Sequence, residues 1–279
     1  MSVLEAAEGA GRAGVRHVRR VGLIGWGAIG RVVGRALSEG KVPGAELACV
    51  VDNRPRGETL PVPQLPFAEA LEECDLLVEA AGQAVVREWG ERILRSGADL
   101  LVVSTGALTD RALTERLRRA GPGRVHFTAG AVGGLDLLQA VTALGPLEHL
   151  ELTTTKLPET LRQPWMDAEL TARLADATGP VELMRGTALD VPAKFPKSTN
   201  VAATVAVAVG DPEQVRVRVV ADPGAVRTRH VIEAAGPMGR YRFEVEHEPD
   251  RDNPATSSVV PYAVLRSLGV LAGGGGRVL

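Results

Sequence analysis

Short apolar runs alternate with helix-like segments through the first half of the chain. The runs lie within HVRRVGLIG, AELACVVD, EECDLLVEA, ADLLVVS and RVHFTAG, and they are continuous and do not alternate with polar residues. Continuous apolar strands are typical of parallel sheets whose two faces are both covered by helices. Because strands that alternate with helices form βαβ units, this half predicts a doubly wound parallel sheet of the Rossmann type.

The pattern changes after Ala131. In QVRVRVV and YRFEVEHE apolar and polar residues alternate strictly, which places them on opposite faces of a strand and predicts a sheet with one face in solvent. We therefore predict a smaller α+β domain with a mixed, mostly antiparallel sheet. Its strands are expected at about residues 150–155, 180–187, 213–221, 228–235 and 239–247.

The segment DNPATSSVVPYAVLRSLGVLAG predicts one last helix over 252–272. Asn253-Pro254 supplies a start signal, and Pro261 fits such a helix only in its first turn or at a kink. We expect this helix to pack back on the first domain. The predicted parts of the chain are a first domain of residues 17–130 completed by 252–272, a second domain of residues 131–251, and flexible ends at 1–16 and 273–279.

Composition narrows the classes of function. The 279 residues carry a formal net charge of −2, and Lys and Arg are spread along the chain, which argues against a nucleic-acid-binding protein. No apolar run reaches the roughly 20 residues of a membrane helix. The N-terminal segment lacks the apolar core of a secretory signal. Cys49 and Cys74 have no metal-ligand spacing around them, so we expect buried free thiols, no metal site and a cytoplasmic protein.

A glycine-rich turn follows the first predicted strand. In VGLIGWGAIGR, Gly25, Gly27 and Gly30 have the GxGxxG spacing of dinucleotide-binding turns: one permits the tight turn, one lets the backbone approach a pyrophosphate, and one lets the helix pack on the strand. Ala28 and Ile29 would offer N–H groups at the helix start to the phosphates. A purely structural glycine turn is the alternative, but strand, turn and helix together favour a dinucleotide site.

The second strand ends at Asp52, in the position from which a carboxylate accepts the adenosine ribose hydroxyls. Arg54 follows closely and would suit a 2′-phosphate, so the sequence leaves NAD and NADP open. Later strands end in the small residues of EAAG, STGA and TAGAVGG, which suit a flat nicotinamide ring close to the backbone. Ordinary turn formation explains each of these three segments equally well.

A nicotinamide enzyme that oxidises a carbon bearing oxygen or nitrogen also needs a group that takes up the proton of the heteroatom. We assign His17, His126 and His149 to packing or surface positions and His247 to the packing of its sheet. His230, in RTRHVIEAAG, lies early in a strand of the second domain among basic residues. Its position alone leaves two interpretations open, a core histidine and a catalytic base.

Six segments together resemble the aspartate dehydrogenase family: GLIGWGAIGR, AGAVGGLDLLQA, TTTKLPETL, KFPKSTNVAATVAVA, RTRHVIEAAG and DNPATSSVV. The resemblance implies oxidation of L-aspartate to iminoaspartate with NAD or NADP, the imine entering NAD biosynthesis or hydrolysing to oxaloacetate and ammonia. It also implies cofactor contacts at Ala131 and Asn200 and an active-site histidine at His230. Ser198 departs from the family pattern, in which Asn is usual.

L-Aspartate has two carboxylates, and we assign Lys156, Lys197 and Thr199 to its binding; an exposed surface lysine is the alternative at each Lys. Thr199 and Asn200 are also expected to cap the helix that follows them. The alternatives to the resemblance are a related two-domain reductase, such as homoserine dehydrogenase or dihydrodipicolinate reductase, and a non-catalytic dinucleotide-binding protein. We expect a homodimer.

Overall fold

The computed structural model describes residues 18–54, 60–195, 199–250, 253 and 256–273, and only the main chain of Pro192, Ala193 and Thr199. The predicted substrate residue Lys197, the side chain of Thr199, and the predicted flexible ends apart from Gly273 lie outside the described residues.

The first sheet has five parallel strands in the order β2-β1-β3-β4-β5. Leu23, Leu77 and Leu101 in its strands have no exposed surface, because helices cover both faces. The Rossmann-type prediction is confirmed. The elements are β1 (Arg19–Ile24), α1 (Ala28–Ser38), β2 (Ala45–Val51), α2 (Phe67–Glu73), β3 (Leu76–Glu79), α3 (Gln83–Ser96), β4 (Asp99–Val102), a 3₁₀ turn (Thr105–Thr109), α4 (Arg111–Arg119) and β5 (Val125–Phe127).

The second sheet has five strands in the order β10-β9-β6-β8-β7, and its pairs are antiparallel except for β6 with β8. The mixed, mostly antiparallel prediction is confirmed, and all five predicted strands are present. The elements are α5 (Leu135–Thr142), β6 (His149–Lys156), α6 (Pro158–Leu161), α7 (Ala168–Ala175), β7 (Val181–Thr187), α8 (Asp190–Lys194), α9 (Thr199–Val209), β8 (Arg216–Ala221), β9 (Thr228–Gly236) and β10 (Gly239–His247).

The two faces of the second sheet differ as the alternation predicts. Leu152, Val217 and Ile232 share one face and lie in the core of this half, each 0–1% exposed. The opposite face bears ion pairs such as that between Arg185 Nη1 and Glu151 Oε2, at 3.0 Å. Because the apolar face packs against helices such as α5 and α9, the polar face remains available to solvent.

The last helix, α10 (Val260–Leu271), begins later than the predicted residue 252. The preceding segment is not helical where it is described: Asn253 Nδ2 donates to Thr256 Oγ1 at 3.0 Å, and Ser257 pairs with Pro249 in a short antiparallel bridge. These contacts belong to a turn and an isolated bridge and not to a helix, so Asn253 is not the helix start. Pro261 lies in the first turn, where its missing N–H costs nothing.

Helix α10 packs on the first half of the molecule, as predicted. Val264 and Leu268 have no exposed surface and share a core cluster with Val33 and Leu37 of α1. The C-terminal residues of the chain therefore complete the layer of helices on one face of the Rossmann-type sheet.

Helix α9 joins the two halves. Ala202, Val205 and Ala206 contribute to the second core, while Val207 packs against the first. We predicted that Asn200 caps α9, but this is wrong: it lies inside the helix, and its Oδ1 accepts a hydrogen bond from the N–H of Gly106 at 2.9 Å. The amide serves a contact between the halves, which the local sequence does not indicate.

The cysteines are free and buried, as predicted. Cys49 lies in β2, whereas Cys74 is the residue that ends α2 and not part of a strand; their Sγ atoms are 3.5 Å apart. Within the described part of the chain, no helix is long and apolar enough to cross a membrane. The same residues contain no group of three or more His, Cys, Asp or Glu side chains placed to hold a metal ion.

Candidate active site

Two adjoining cavities form a continuous cleft at the carboxyl ends of the parallel strands. The larger, about 690 Å³, lies against the glycine-rich turn, and the smaller, about 400 Å³, lies between the two sheets. Ile29 and Asn253 line both cavities. Ligands of open α/β sheets bind at this edge, so the position of the cleft agrees with a dinucleotide site.

The glycine-rich turn fits a pyrophosphate. Gly25 has φ of +95°, a conformation that side chains disfavour, and a Cβ on Gly30 would lie 2.0 Å from the carbonyl oxygen of Gly25. At Gly27, in contrast, an added Cβ would meet no protein atom within 4 Å. Since no side chain caps the start of α1, its first N–H groups, including those of Ala28 and Ile29, are available to an anion.

Gly27 and Gly30 should respond differently to an added methyl group. Gly30→Ala is expected to lower the free energy of unfolding by about 2–3 kcal/mol, because the methyl group collides with the backbone. Gly27→Ala should change it by less than about 1 kcal/mol and still weaken dinucleotide binding, because the methyl group points into the phosphate position. Urea denaturation and dinucleotide titration check both. Wild-type affinity in Gly27→Ala would show that the phosphates do not approach this turn.

Asp52 is fixed at the edge of the larger cavity. Its Oδ2 accepts a hydrogen bond from the N–H of Trp26 at 2.9 Å, and its Oδ1 accepts one from the N–H of Arg54 at 3.0 Å. The side chain of Asp52 is 4% exposed, while that of Arg54 is 71% exposed with its Nε 3.7 Å from Asp52 Oδ1. The carboxylate is held in place for ribose hydroxyls, and Arg54 is free to turn toward a 2′-phosphate.

Asp52→Ala is expected to weaken NAD binding about tenfold, since hydrogen bonds to a charged group contribute about 1.5–3 kcal/mol, and to weaken NADP binding less. Asp52→Asn is the matched variant, because its one amide oxygen can still accept the N–H of Trp26, while the charge and the acceptor for the N–H of Arg54 are lost. Equilibrium titration of both variants with NAD and NADP measures the effect. Unchanged NAD affinity in Asp52→Ala would remove this residue from the site.

The smaller cavity is lined by the ends of later strands, in the segments singled out from the sequence. Gly82 and Ser104 come from the turns after β3 and β4, and residues 128–131 follow β5. Small side chains here leave the backbone accessible to a flat ring. The structure therefore brings the three small-residue segments to one side of one cavity.

Ala131 and Asn200 both line the smaller cavity. The carbonyl oxygen of Ala131 faces His247 Nε2 at 2.9 Å, which fixes the ring nitrogen as the donor of this bond. Asn200 uses its Oδ1 for Gly106, so its Nδ2 is left to donate elsewhere. Both residues are thus held by contacts away from the cavity while presenting a group toward it.

His230 is buried at the floor of the smaller cavity, with 3% of its surface exposed. It lies on β9 directly opposite Thr154 of β6, and its Nδ1 is 3.0 Å from Thr154 Oγ1. Burial, and then the charge of Lys156, lower the pKa of His230 from its usual 6.5 to about 3. The imidazole is therefore neutral in the free protein at neutral pH.

Lys156 lies beside this histidine. It is the last residue of β6, two positions beyond Thr154 on the same face, and it is 7% exposed and lines the smaller cavity. Burial lowers the pKa of its ammonium group. Burial is the one cause of this lowering, and no carboxylate of the described residues offsets it. A buried cation without a partner is costly, so the arrangement favours binding of an anion in this cavity.

The neutral state of His230 should make stability depend on pH. Its pKa is about 3 when folded and near 6.5 when unfolded, so the unfolded chain binds the extra proton as pH falls below 6.5. This residue is expected to lower the free energy of unfolding by about 1 kcal/mol per pH unit in that window. Urea denaturation at several pH values, compared with His230→Asn, measures the difference. Equal slopes for the two proteins would contradict the prediction.

Three residues of the site were not identified from the sequence as functional. Thr154 contacts His230, and His247 contacts Ala131. Glu79 is a buried carboxylate behind the small-residue turns. For His247, which we assigned to sheet packing, the strict alternation of β10 gives the face but not the contact with Ala131. His126 lies near Asp99, with Nε2 3.4 Å from Oδ2, and His149 is exposed, so neither lies in the cleft.

The sequence is similar to those of known dehydrogenases. Residues 136–271 match the family described as "Aspartate dehydrogenase, C-terminal", and residues 25–124 match "Homoserine dehydrogenase, NAD binding domain". The L-aspartate dehydrogenase of Archaeoglobus fulgidus is 36% identical over 89% of this chain and 95% of that protein. That of Methanopyrus kandleri is 42% identical over 48% of this chain and 46% of that protein.

A solved structure has the same fold. The aspartate dehydrogenase of Thermotoga maritima superposes with a TM-score of 0.72 at 24% identity, covering 94% of this chain and 99% of that chain. The superposition therefore covers nearly the whole length of both chains.

Proposed function

The chain belongs to the aspartate dehydrogenase family, and on this basis we propose that it oxidises L-aspartate to iminoaspartate with NAD or NADP, using His230 as the base. The observation that best supports the proposal is the pair of buried residues at the floor of the smaller cavity. A neutral imidazole and a cation with no carboxylate partner among the described residues lie side by side there, next to the small-residue turns suited to a nicotinamide ring. An amino acid with a side-chain carboxylate suits this pair.

The nicotinamide ring, when bound, supplies the acceptor for the hydride of the substrate carbon. The residues of the chain hold the dinucleotide: the turn of Gly25, Gly27 and Gly30 with the N–H groups of Ala28 and Ile29 receives the pyrophosphate, and Asp52 receives the ribose. Ala131 and Asn200 hold the nicotinamide end. The positions of these residues along the cleft support these roles.

His230 handles the proton. For Nε2 to accept a proton, Nδ1 must carry the other hydrogen, and Thr154 Oγ1 at 3.0 Å is placed to accept it. In the empty site the pKa of about 3 makes the imidazole a weak base. Two substrate carboxylates entering the cavity would raise this pKa, because opposite charges favour the protonated ring. The base then becomes effective once the substrate is in place.

Lys156 binds one substrate carboxylate and so fixes the amino group near His230. Its position two residues beyond Thr154 places both contacts on one face of the second sheet. Thr256 and Ser257, which also line the cavity, offer hydroxyl groups for the second carboxylate. Lys197 and Thr199 remain predictions for the same role.

Incubation of the purified protein with each dinucleotide and a panel of amino acids tests the function. We expect the near-ultraviolet absorbance of reduced nicotinamide to rise with L-aspartate, and not with homoserine or with monocarboxylic amino acids such as alanine. Activity with homoserine instead would favour the related reductase. Dinucleotide binding without any turnover would favour a non-catalytic binding protein.

The remaining expectations are parts of the same proposal. We propose that residues 17–130 with the C-terminal helix bind the dinucleotide, that residues 131–251 bind the substrate and form a homodimer, and that the product feeds NAD biosynthesis in the cytoplasm. The separate sheets and the packing of α10 on α1 support the division of the chain.

A further inference from the structure

Glu79 is a carboxylate with no exposed surface at the end of the central strand of the first sheet. Its Oε1 accepts hydrogen bonds from the N–H groups of Ala81 at 2.9 Å and Gly82 at 2.7 Å, and from Ser104 Oγ at 2.9 Å. Its Oε2 accepts one from the N–H of Ser104 at 2.9 Å. One side chain thus ties together the turns that follow β3 and β4.

These turns separate the carboxylate from the smaller cavity. Gly82 and Ser104 line the cavity on one side and donate to Glu79 on the other, so the carboxyl group lies directly behind the wall. Among the described residues that line this cavity, none is Asp or Glu. Glu79 is therefore placed to act on the contents of the cavity through the backbone, without touching them.

The contacts of Glu79 favour its ionised form. Burial raises the pKa of this carboxyl group above its usual value, and the four hydrogen bonds lower it but offset only part of that rise. Three of the four donors are backbone N–H groups, which cannot accept a proton from a neutral acid. The anion satisfies all four donors at once, so the local geometry matches the charged state.

A buried anion behind this wall distinguishes the two states of a nicotinamide ring. The oxidised ring carries a positive charge and the reduced ring does not, so a fixed negative charge several ångströms away stabilises only the former. We propose that Glu79 is a positioning residue whose negative charge makes the smaller cavity bind the oxidised dinucleotide more tightly than the reduced one. On the protein, the equilibrium is thereby shifted away from oxidation of bound L-aspartate and toward reduction of its imine. This inference rests on the proposed function, since it requires the nicotinamide ring to occupy this cavity.

The Glu79→Gln variant tests the charge, because the amide has nearly the shape of the carboxylate without its charge. Its NH2 group also replaces the oxygen that accepts the N–H of Ser104, so one of the four hydrogen bonds is lost. Titration of the protein with NAD⁺ and with NADH, each alone, gives the two values of Kd. We expect the variant to bind NAD⁺ about tenfold more weakly and NADH within about threefold of wild type, so that the ratio of the two values rises. If the wild type uses NADP, the phosphorylated pair replaces these probes.

The Ser104→Ala variant is the matched control, since it removes one hydrogen bond to Glu79 and keeps the charge. Loosening of the turns should weaken binding of both forms by the same factor and leave the ratio unchanged. A ratio in Glu79→Gln equal to that of wild type would overturn the inference. A ratio that rises equally in Ser104→Ala would also overturn it, because the effect would then come from the turns.

A measurement on the wild type covers the case in which Glu79→Gln does not fold. The inference requires the unaltered protein to bind NAD⁺ about as tightly as NADH or more tightly, and binding of NADH more than about tenfold tighter would contradict it. Failure of the proposed function gives a different result. In that case the wild type binds neither dinucleotide or shows no turnover with L-aspartate, whereas failure of this inference leaves both intact.

Discussion

His230→Ala is expected to lower kcat by about 10²- to 10⁴-fold while dinucleotide affinity stays near wild type. The imidazole lies at the floor of the smaller cavity, away from the turn and the carboxylate that hold the nucleotide. Its removal leaves the substrate ammonium without a base, and Thr154 without its ring partner. Steady-state kinetics with L-aspartate and titration with the dinucleotide separate the loss of turnover from any loss of binding.

His149→Ala is the matched control for this variant. His149 lies on β6, the strand that bears Thr154, but its side chain is exposed and outside the cleft. Its replacement should leave kcat within about twofold of wild type, since surface changes rarely alter a site. If His230→Ala keeps wild-type turnover, another group takes the proton and the assignment of the base is wrong.

Lys156→Met is expected to lower kcat/KM for L-aspartate by about 10²-fold, mainly through a higher KM. A charge-assisted hydrogen bond to a carboxylate contributes roughly 1.5–3 kcal/mol, which corresponds to a factor of about ten to 150. Met preserves the length and apolar packing of the buried stem, so the change isolates the ammonium group. Because removal of this cation also relieves a desolvated charge, the free energy of unfolding should not fall.

Lys41→Met provides the comparison at an exposed lysine. Lys41 pairs with Glu39 on the surface, with 68% of its side chain exposed, and its replacement should leave KM unchanged. A normal KM in Lys156→Met would mean that the substrate carboxylates bind elsewhere. Lys197 and Thr199 would then be the remaining candidates for binding the substrate carboxylates.

The features with a local cause were the ones that the sequence could predict. Continuous apolar runs specify strands that are buried on both faces, and strict alternation specifies a half-exposed sheet; both patterns correspond to the observed sheets. The glycine-rich turn was predictable because each glycine answers a local steric need, as the collision of a Cβ on Gly30 with Gly25 illustrates. His230 needed the family resemblance, since its strand position alone left two interpretations.

The features that sequence analysis missed depend on contacts between distant segments. Asn200 is a residue type that often caps helices and lies where a cap is expected. Its Oδ1, however, accepts a hydrogen bond from the N–H of Gly106, 94 residues away. Asn253-Pro254 has the form of a helix start, but Ser257 pairs with Pro249, a residue before that signal, and α10 begins only at Val260. The buried position of Glu79 could not be predicted from its neighbours in sequence, because its hydrogen-bond donors come from two different turns.

The joint at α9 has a consequence for how the molecule melts. Side chains from this one helix complete the apolar interiors of both halves, and Thr105 and Thr204 meet there with their hydroxyl oxygens 2.8 Å apart. Each half loses part of its hydrophobic core if α9 detaches from it. Unfolding of one half therefore destabilises the other. Heat or denaturant should accordingly disrupt the two sheets as one cooperative unit, and a gene cut between them would yield two incomplete halves.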